Sequence, residues 1–253
     1  MRNSDQTREI VRERYGELAK AGQSCCGGGS CAERSLEQIG YTAEQAAAVP
    51  EGANLGLGCG NPLAYAEVKP GETVLDLGSG AGIDAFLAAG LVGENGRVIG
   101  VDMTPAMVER AQANARQGNY ADTEFRLGQI EHLPVADASV DVIISNCVIN
   151  LSPDKDQVFR EALRVLKPGG RILVSDLVWL SPPSEKTRES EEALVGCLAG
   201  ASLKEDYLGI MREAGFRSVE VVAQGSHEPT TSCCGDSEVA AIASVKVRGV
   251  KPV

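Results

Sequence analysis

The chain has 253 residues, 43% hydrophobic and only 4% aromatic, enough for one large α/β domain with additions or two small domains. Its 24 basic residues against 35 acidic ones leave a formal charge of −11. That argues against the basic footprint of a nucleic-acid binder, and the few aromatic rings leave little surface for stacking bases. No apolar run of about 18 residues offers a membrane span, and the polar opening MRNSDQTREI does not read as a secretory signal. The expectation is a cytoplasmic protein with neither nucleic acid nor membrane as partner.

In chain order, residues 4–20 predict a helix in which Ile10, Val11, Tyr15 and Leu18 form a partial apolar stripe. The segment CCGGGSC at 25–31 interrupts it with a flexible, thiol-rich break. A short helix is predicted over 42–48, capped by Thr42 and followed by Pro50, and then a glycine-rich loop over 52–62 around Cys59. From Pro70-Gly71 strand and helix patterns alternate. Strands are predicted at 73–77, 97–102, 123–128, 140–149 and 171–178. Helices follow the glycine loop after the first strand, open at Thr104-Pro105, and cover 154–166, the last closed by Lys167-Pro168-Gly169-Gly170. Such alternation predicts a parallel sheet covered on both faces through right-handed crossovers. Beyond it, SEKTRESEE at 184–192 reads as solvated surface and Cys197 as part of an Ala/Leu/Gly helix. Residues 204–214 read as a helix, and 217–223 and 239–247 as strands flanking a loop with Cys233 and Cys234.

The cysteines are Cys25, Cys26, Cys31, Cys59, Cys147, Cys197, Cys233 and Cys234. In a reducing compartment they are thiols rather than a disulfide framework. They fit no zinc template, since the chain has no C-x-x-C and its histidines, His132 and His227, are not placed as finger ligands. Both histidines stay unassigned.

The loop VLDLGSGAGID sets Gly78, Ser79, Gly80 and Gly82 between the first strand and a helix, where ligands bind in such sheets. A dinucleotide fingerprint would need a glycine where Ile83 stands. Asp76, just before the glycines, would repel a pyrophosphate but suits a cationic ligand without phosphate. S-adenosylmethionine, with its ammonium and sulfonium, is such a ligand. Asp102 ends the second strand, where a carboxylate typically accepts from two ribose hydroxyls. The plainer alternative is an ordinary strand-to-helix turn with Asp76 as a capping acid.

VLDLGSGAG, the strand ending in Asp102, EHLPVADASVDVI and LRVLKPGGRILVSD resemble the class I S-adenosylmethionine-dependent methyltransferases over roughly residues 70–225. The resemblance implies an α/β fold: a Rossmann-like seven-stranded sheet with an N-terminal helical cap and a C-terminal extension. It places Asp76, Gly78, Ser79, Gly80, Asp102, Met103, Ile130, Glu131 and Asn146 around the cofactor, with Glu131 near the adenine. The implied division is a cap with its cysteine-bearing loops over 1–70, a cofactor-binding core over 71–180, and a C-terminal part over 181–253 that completes the sheet and the substrate site. Tyr15 would lie over the cofactor as part of a lid.

NLGLGCGNP at 54–62 and ISNCVINLSPDK at 144–155, each centred on a cysteine, are similar to arsenite methyltransferases in particular. Cys197 and Cys31 fall where that family carries further cysteines, so the likeness extends over about residues 8–245. It departs in the added pairs Cys25-Cys26 and Cys233-Cys234 and in lacking the extra C-terminal domain of some members. The family reading makes Cys59, Cys147 and Cys197 the ligands of trivalent arsenic, which is thiophilic and keeps a lone pair that can attack a sulfonium methyl without a general base. Cys31 and Cys59 are the implied pair that returns oxidised arsenic to the trivalent state. Implied partners are thiol adducts of arsenite or methylarsenite, glutathione or other small thiols, and a thioredoxin-type reductant. The added vicinal pairs either gather arsenite or are dispensable. Two other readings remain open: a quinone-type carbon methyltransferase, which would not need Cys147 or Cys197, and an arsenite-binding protein that no longer turns over.

Overall fold

The computed structural model describes residues 3–21, 36–226 and 242–253. In chain order its elements are α1 (Ser4–Ala21), α2 (Ala43–Ala48), α3 (Leu63–Ala66), β1 (Thr73–Leu77), α4 (Ile83–Val92), β2 (Arg97–Asp102), α5 (Pro105–Gln117), β3 (Thr123–Leu127), β4 (Val140–Asn146), α6 (Lys155–Val165), β5 (Leu166–Trp179), α7 (Glu185–Glu189), α8 (Glu191–Val195), α9 (Lys204–Ala214), β6 (Arg217–Ser226) and β7 (Ile242–Val250). Single 3-10 turns lie at Leu36–Ile39, Glu51–Ala53 and Ile149–Leu151. Among the described residues no helix is long and apolar enough to cross a membrane.

The strands form one seven-stranded sheet in the order β3-β2-β1-β4-β5-β7-β6. The first five are parallel, as the alternation predicted, but β7 runs antiparallel to both β5 and β6, so the sheet is mixed. The order in which successive strands are added reverses at β1, which lies between β2 and β4. A ligand crevice opens at such a reversal, beyond the carboxyl ends of the strands.

Side chains of successive strand residues serve two cores. Leu75, Leu77, Ile99, Val101 and Ile143 join Val158, Phe159, Tyr207, Met211 and Phe216 from α6, α9 and the turn after it. Val74, Val98, Val142 and Ile144 join Phe86, Val108 and Phe125 on the opposite face. Each fully buried branched side chain contributes about 1.5–3 kcal/mol, so these two layers fix the register that aligns the strand ends.

Local signals account for most boundaries. Thr42 and Gln45 form a reciprocal capping box that opens α2, and Asp154 accepts from the Gln157 N–H to start α6. Three boundaries differ from expectation. The fourth strand stops at Asn146 because Cys147 takes φ +60. Lys167-Pro168-Gly169-Gly170 does not merely close a helix but lies in the first part of β5, where Gly169 and Gly170 exchange backbone hydrogen bonds with Lys251. The charged run at 184–192 is largely exposed, as expected, but it is folded into α7 and α8, capped by Ser184 and Ser190.

Candidate active site

The glycine loop leaves β1 and turns into α4. The Gly78 and Ser79 N–H groups both donate to the Val101 carbonyl, at 2.7 and 3.1 Å, tying the loop to β2. Gly78 has φ +67, and a Cβ there would come within 2.1 Å of Val148 Cγ2. Gly80 has φ +52, yet a Cβ there would meet nothing within 4 Å. The loop therefore packs tightly at Gly78 and opens at Gly80.

Asp76 and Ser79 border this opening. Both are buried, and Asp76 Oδ2 and Ser79 Oγ have no hydrogen-bond partner. Buried polar atoms are almost always paired, so a bare carboxylate oxygen and hydroxyl at a crevice fit a ligand that brings a cation and polar hydrogens. Burial, and then the nearby Asp84 and Asp102, push the Asp76 carboxyl well above its ordinary range. A cationic group would reverse that cost. Asp102 accepts from the Gly80 N–H at 3.0 Å and the Thr104 N–H at 2.8 Å. It thereby fixes the loop and retains lone pairs for further donors. Burial raises its carboxyl as well. Met103 and Ile130 are half-buried. Glu131 is buried, and its Oε1 accepts from Ser152 Oγ at 2.8 Å and from Arg8 on α1 at 3.2 Å. The N-terminal helix is thus bonded directly to a residue expected at the cofactor.

Asn146, expected beside the cofactor, ends β4 and joins the two halves of the site. Its Oδ1 accepts the Cys59 N–H at 3.0 Å, while Nδ2 donates to the Gly60 carbonyl, the Tyr41 hydroxyl and Asp84 Oδ2. Tyr41 in turn donates to Asp84 Oδ1 at 2.7 Å. Burial raises Asp84 to about 6 against the hold of Tyr41 and Asn146. Neither Tyr41 nor Asp84 stands out in the sequence as a site residue.

The three expected cysteines meet at the same sheet edge. The Cys59 thiol is 3.4 Å from the Ser175 carbonyl, and its own carbonyl accepts from Ser244 Oγ. Cys147 follows β4, its N–H bonded to the Ser175 carbonyl at 2.8 Å. Cys197 donates its thiol to the Cys147 carbonyl at 2.9 Å. Contrary to expectation, Cys197 is not within a helix: it lies just past α8 with φ +63. Its segment approaches closely, since a Cβ on Gly200 would fall 2.0 Å from the Asn150 carbonyl. Hydrogen-bonding contact with the Cys197 thiol, then with the Cys59 thiol, and burial push the Cys147 thiol well up. Cys147 and Cys197 both hold positive φ, a conformation that non-glycine residues keep where surrounding structure enforces it, commonly at functional sites. Tyr15 packs against this cluster and donates to the Val195 carbonyl at 3.3 Å.

Asp176 was not singled out in the sequence. One of its carboxylate oxygens lies within 4.8 Å of both the Cys59 and Cys147 sulfurs. Burial raises it to about 7, opposed first by the charge of Lys155. Asp176 closes the segment LRVLKPGGRILVSD, but only the pairing of Asn146 with Ser175 brings it beside Cys147. Cys25, Cys26, Cys31, Cys233, Cys234 and His227 lie outside the described residues.

The family model for a methyltransferase domain matches residues 68–215. The arsenite methyltransferase of Halobacterium salinarum is 51% identical over 233 residues, covering 87% of this chain and 60% of that protein. The arsenic(III) S-adenosylmethionine methyltransferase of Chlamydomonas reinhardtii, known from its crystal structure, superposes with a TM-score of 0.68. It is 36% identical, and the match covers 89% of this chain and 75% of that one. The chain belongs to the arsenite methyltransferase family. It spans 60% of the length of the Halobacterium relative and 44% of the human arsenite methyltransferase, to which it is 39% identical over 168 residues. A ubiquinone/menaquinone biosynthesis C-methyltransferase from Klebsiella pneumoniae is 33% identical over 176 residues, so the quinone-like segments reflect the shared class I fold. Within that wider class, this chain places three cysteines in one cluster next to the glycine loop, with Val148 beside Cys147 packed on Gly78.

Proposed function

We propose that this protein methylates trivalent arsenic, presented as arsenite or a methylated arsenical in thiol form, with S-adenosylmethionine as donor. The observation that carries the proposal is the convergence of Cys59 and Cys197 on the Cys147 thiol, at the carboxyl end of β4 and beside the glycine loop. Soft sulfur donors select a soft centre. Three thiols displace the three hydroxyls of arsenous acid as water, so no base has to store a proton and the raised Cys147 thiol is no obstacle. The bound donor supplies an electrophilic methyl carbon. Asp76 and Ser79 receive the cationic amino-acid end, Asp102 the ribose hydroxyls, and Met103, Ile130 and Glu131 surround the base. The thiols hold arsenic so that its lone pair faces that carbon, and orientation of this kind contributes up to about 7–11 kcal/mol.

The product arsenic is pentavalent, and two electrons return it to the trivalent state. We assign them to a cysteine pair that closes a disulfide and is reopened by a small thiol such as glutathione or by a thioredoxin-type dithiol. Cys31 with Cys59 is the proposed pair. A reducing cytoplasm keeps the cluster free for this cycle.

The test is incubation with labelled donor, arsenite and a thiol, with products resolved by chromatography. Methylated arsenic should appear, and Cys147→Ser and Cys197→Ser should each abolish it while donor affinity stays within about threefold, because uniform binding of the donor does not pass through sulfur. Turnover that survives both substitutions would overturn the reading and favour a carbon acceptor.

A further inference from the structure

A buried carboxylate is expensive unless something compensates it, and Asp176 is fully buried, its burial offset in part by the charge of Lys155. It stands in fixed orientation: Oδ1 accepts from Asn150 Nδ2 at 2.8 Å and from the Leu177 N–H at 3.1 Å, and Oδ2 accepts from the Tyr207 hydroxyl at 3.2 Å. These donors come from the turn after β4, from β5 itself and from α9. They hold one carboxylate oxygen within 4.8 Å of two of the sulfurs that receive the acceptor atom. The sulfurs alone would suffice to bind a neutral arsenic centre. A carboxylate aimed at them suits an atom that becomes positive.

We infer that Asp176 stabilises the positive charge that develops on arsenic during methyl transfer. The inference rests on the methylation proposed above and adds a residue to it. In the ground state the charge is on the donor sulfonium, and arsenic bound by three thiolates is neutral. As the arsenic–carbon bond forms from the arsenic lone pair, the sulfur–carbon bond breaks and its electrons stay on sulfur. The donor becomes a neutral thioether, and arsenic becomes a four-coordinate, singly positive methylarsonium centre, formally pentavalent. No proton is moved, and the two electrons lost by arsenic are those of the new bond. The unit charge thus travels from the glycine-loop side of the cleft to the sulfur side, toward Asp176. An interaction that strengthens along that path lowers the barrier without tightening substrate binding.

The test uses the full chain under single-turnover conditions, with rapid-quench measurement of the demethylated donor. Arsenite affinity is read from the fluorescence of Trp179, the only tryptophan of the sequence and a member of the sulfur-bearing cluster. Two neutral replacements, Asp176→Asn and Asp176→Ser, are compared, so that failure of one to fold leaves the other. The transfer rate should fall about 100-fold, with arsenite and donor affinities within about threefold of the parent, the pattern of a group that acts only in the transition state. Tyr207→Phe, which keeps the charge and removes one of its hydrogen bonds, should cost far less. A parent-like rate in the neutral variants would overturn the inference. So would a loss that appears in arsenite affinity, or one that Tyr207→Phe reproduces in full, since those outcomes make Asp176 a binding or structural residue. A parent protein that forms no methylated arsenic would instead sink the proposed function, a distinct result.

Discussion

At Asn146 a single amide serves two loops and a buried acid. It receives the Cys59 N–H and donates to Gly60, Tyr41 and Asp84. Asn146→Asp would keep the acceptor for Cys59 but set a second carboxylate against Asp84 and against the Gly60 carbonyl. Such an uncompensated buried charge costs about 3–5 kcal/mol, and urea unfolding near neutral pH should show a loss of that order. Asp84 itself makes a pH-dependent contribution. Its value rises from an ordinary 3.8 to about 6 in the folded protein, so between those limits the folded state binds more protons than the unfolded one. The stability this group contributes is complete below about pH 4 and is lost as pH rises through about 6. Asp84→Asn lacks that term. Measured by urea unfolding, the stability difference between the two proteins should therefore move in favour of the variant by roughly 2–3 kcal/mol from pH 4 to pH 8. A constant difference would contradict it.

At the level of elements, the loop between β1 and α4 separates folding from binding within three residues. Gly78→Ala adds a methyl against Val148 at a position with φ +67 and should destabilise the protein by about 2–4 kcal/mol. Gly80→Ala enters open space at φ +52 and should cost only about 1 kcal/mol of stability while sharply weakening donor binding. Thermal melting and calorimetry on the pair check both arms. This loop was legible in the sequence because glycines, strand and helix pattern agree locally. So were β1 to β3, the helices α2, opened by its capping box, and α5, opened by Pro105, and the three cysteine positions. What was not legible depends on pairing across the sheet. The antiparallel β7 follows from its insertion between β5 and β6, the early end of β4 from the positive φ of Cys147, and the early start of β5 from contacts with Lys251. Asp176, Tyr41 and Asn150 are ordinary residue types whose meaning appears only when distant segments meet.

Over the whole molecule, the site has no single owner. Cys59 comes from the segment before the sheet, Cys147 from the turn just after β4 and Cys197 from the segment after β5, while α1 reaches over to Glu131 through Arg8 and to Val195 through Tyr15. Ligand that bridges these parts must order them together. Hydrogen exchange should therefore slow at 56–60 and at 193–199 in concert when arsenite is added, and Cys147→Ser should remove both effects; protection of one segment alone would count against a shared ligand. The same convergence has a consequence for durability. Cys147 and Cys197 hold φ +60 and +63, where glycine sits more comfortably by about 1 kcal/mol. Glycine would ease the backbone at either place, yet it would also empty the space that each packed thiol fills and take a sulfur out of the cluster. At these two positions the comfort of the chain and the usefulness of the side chain pull apart.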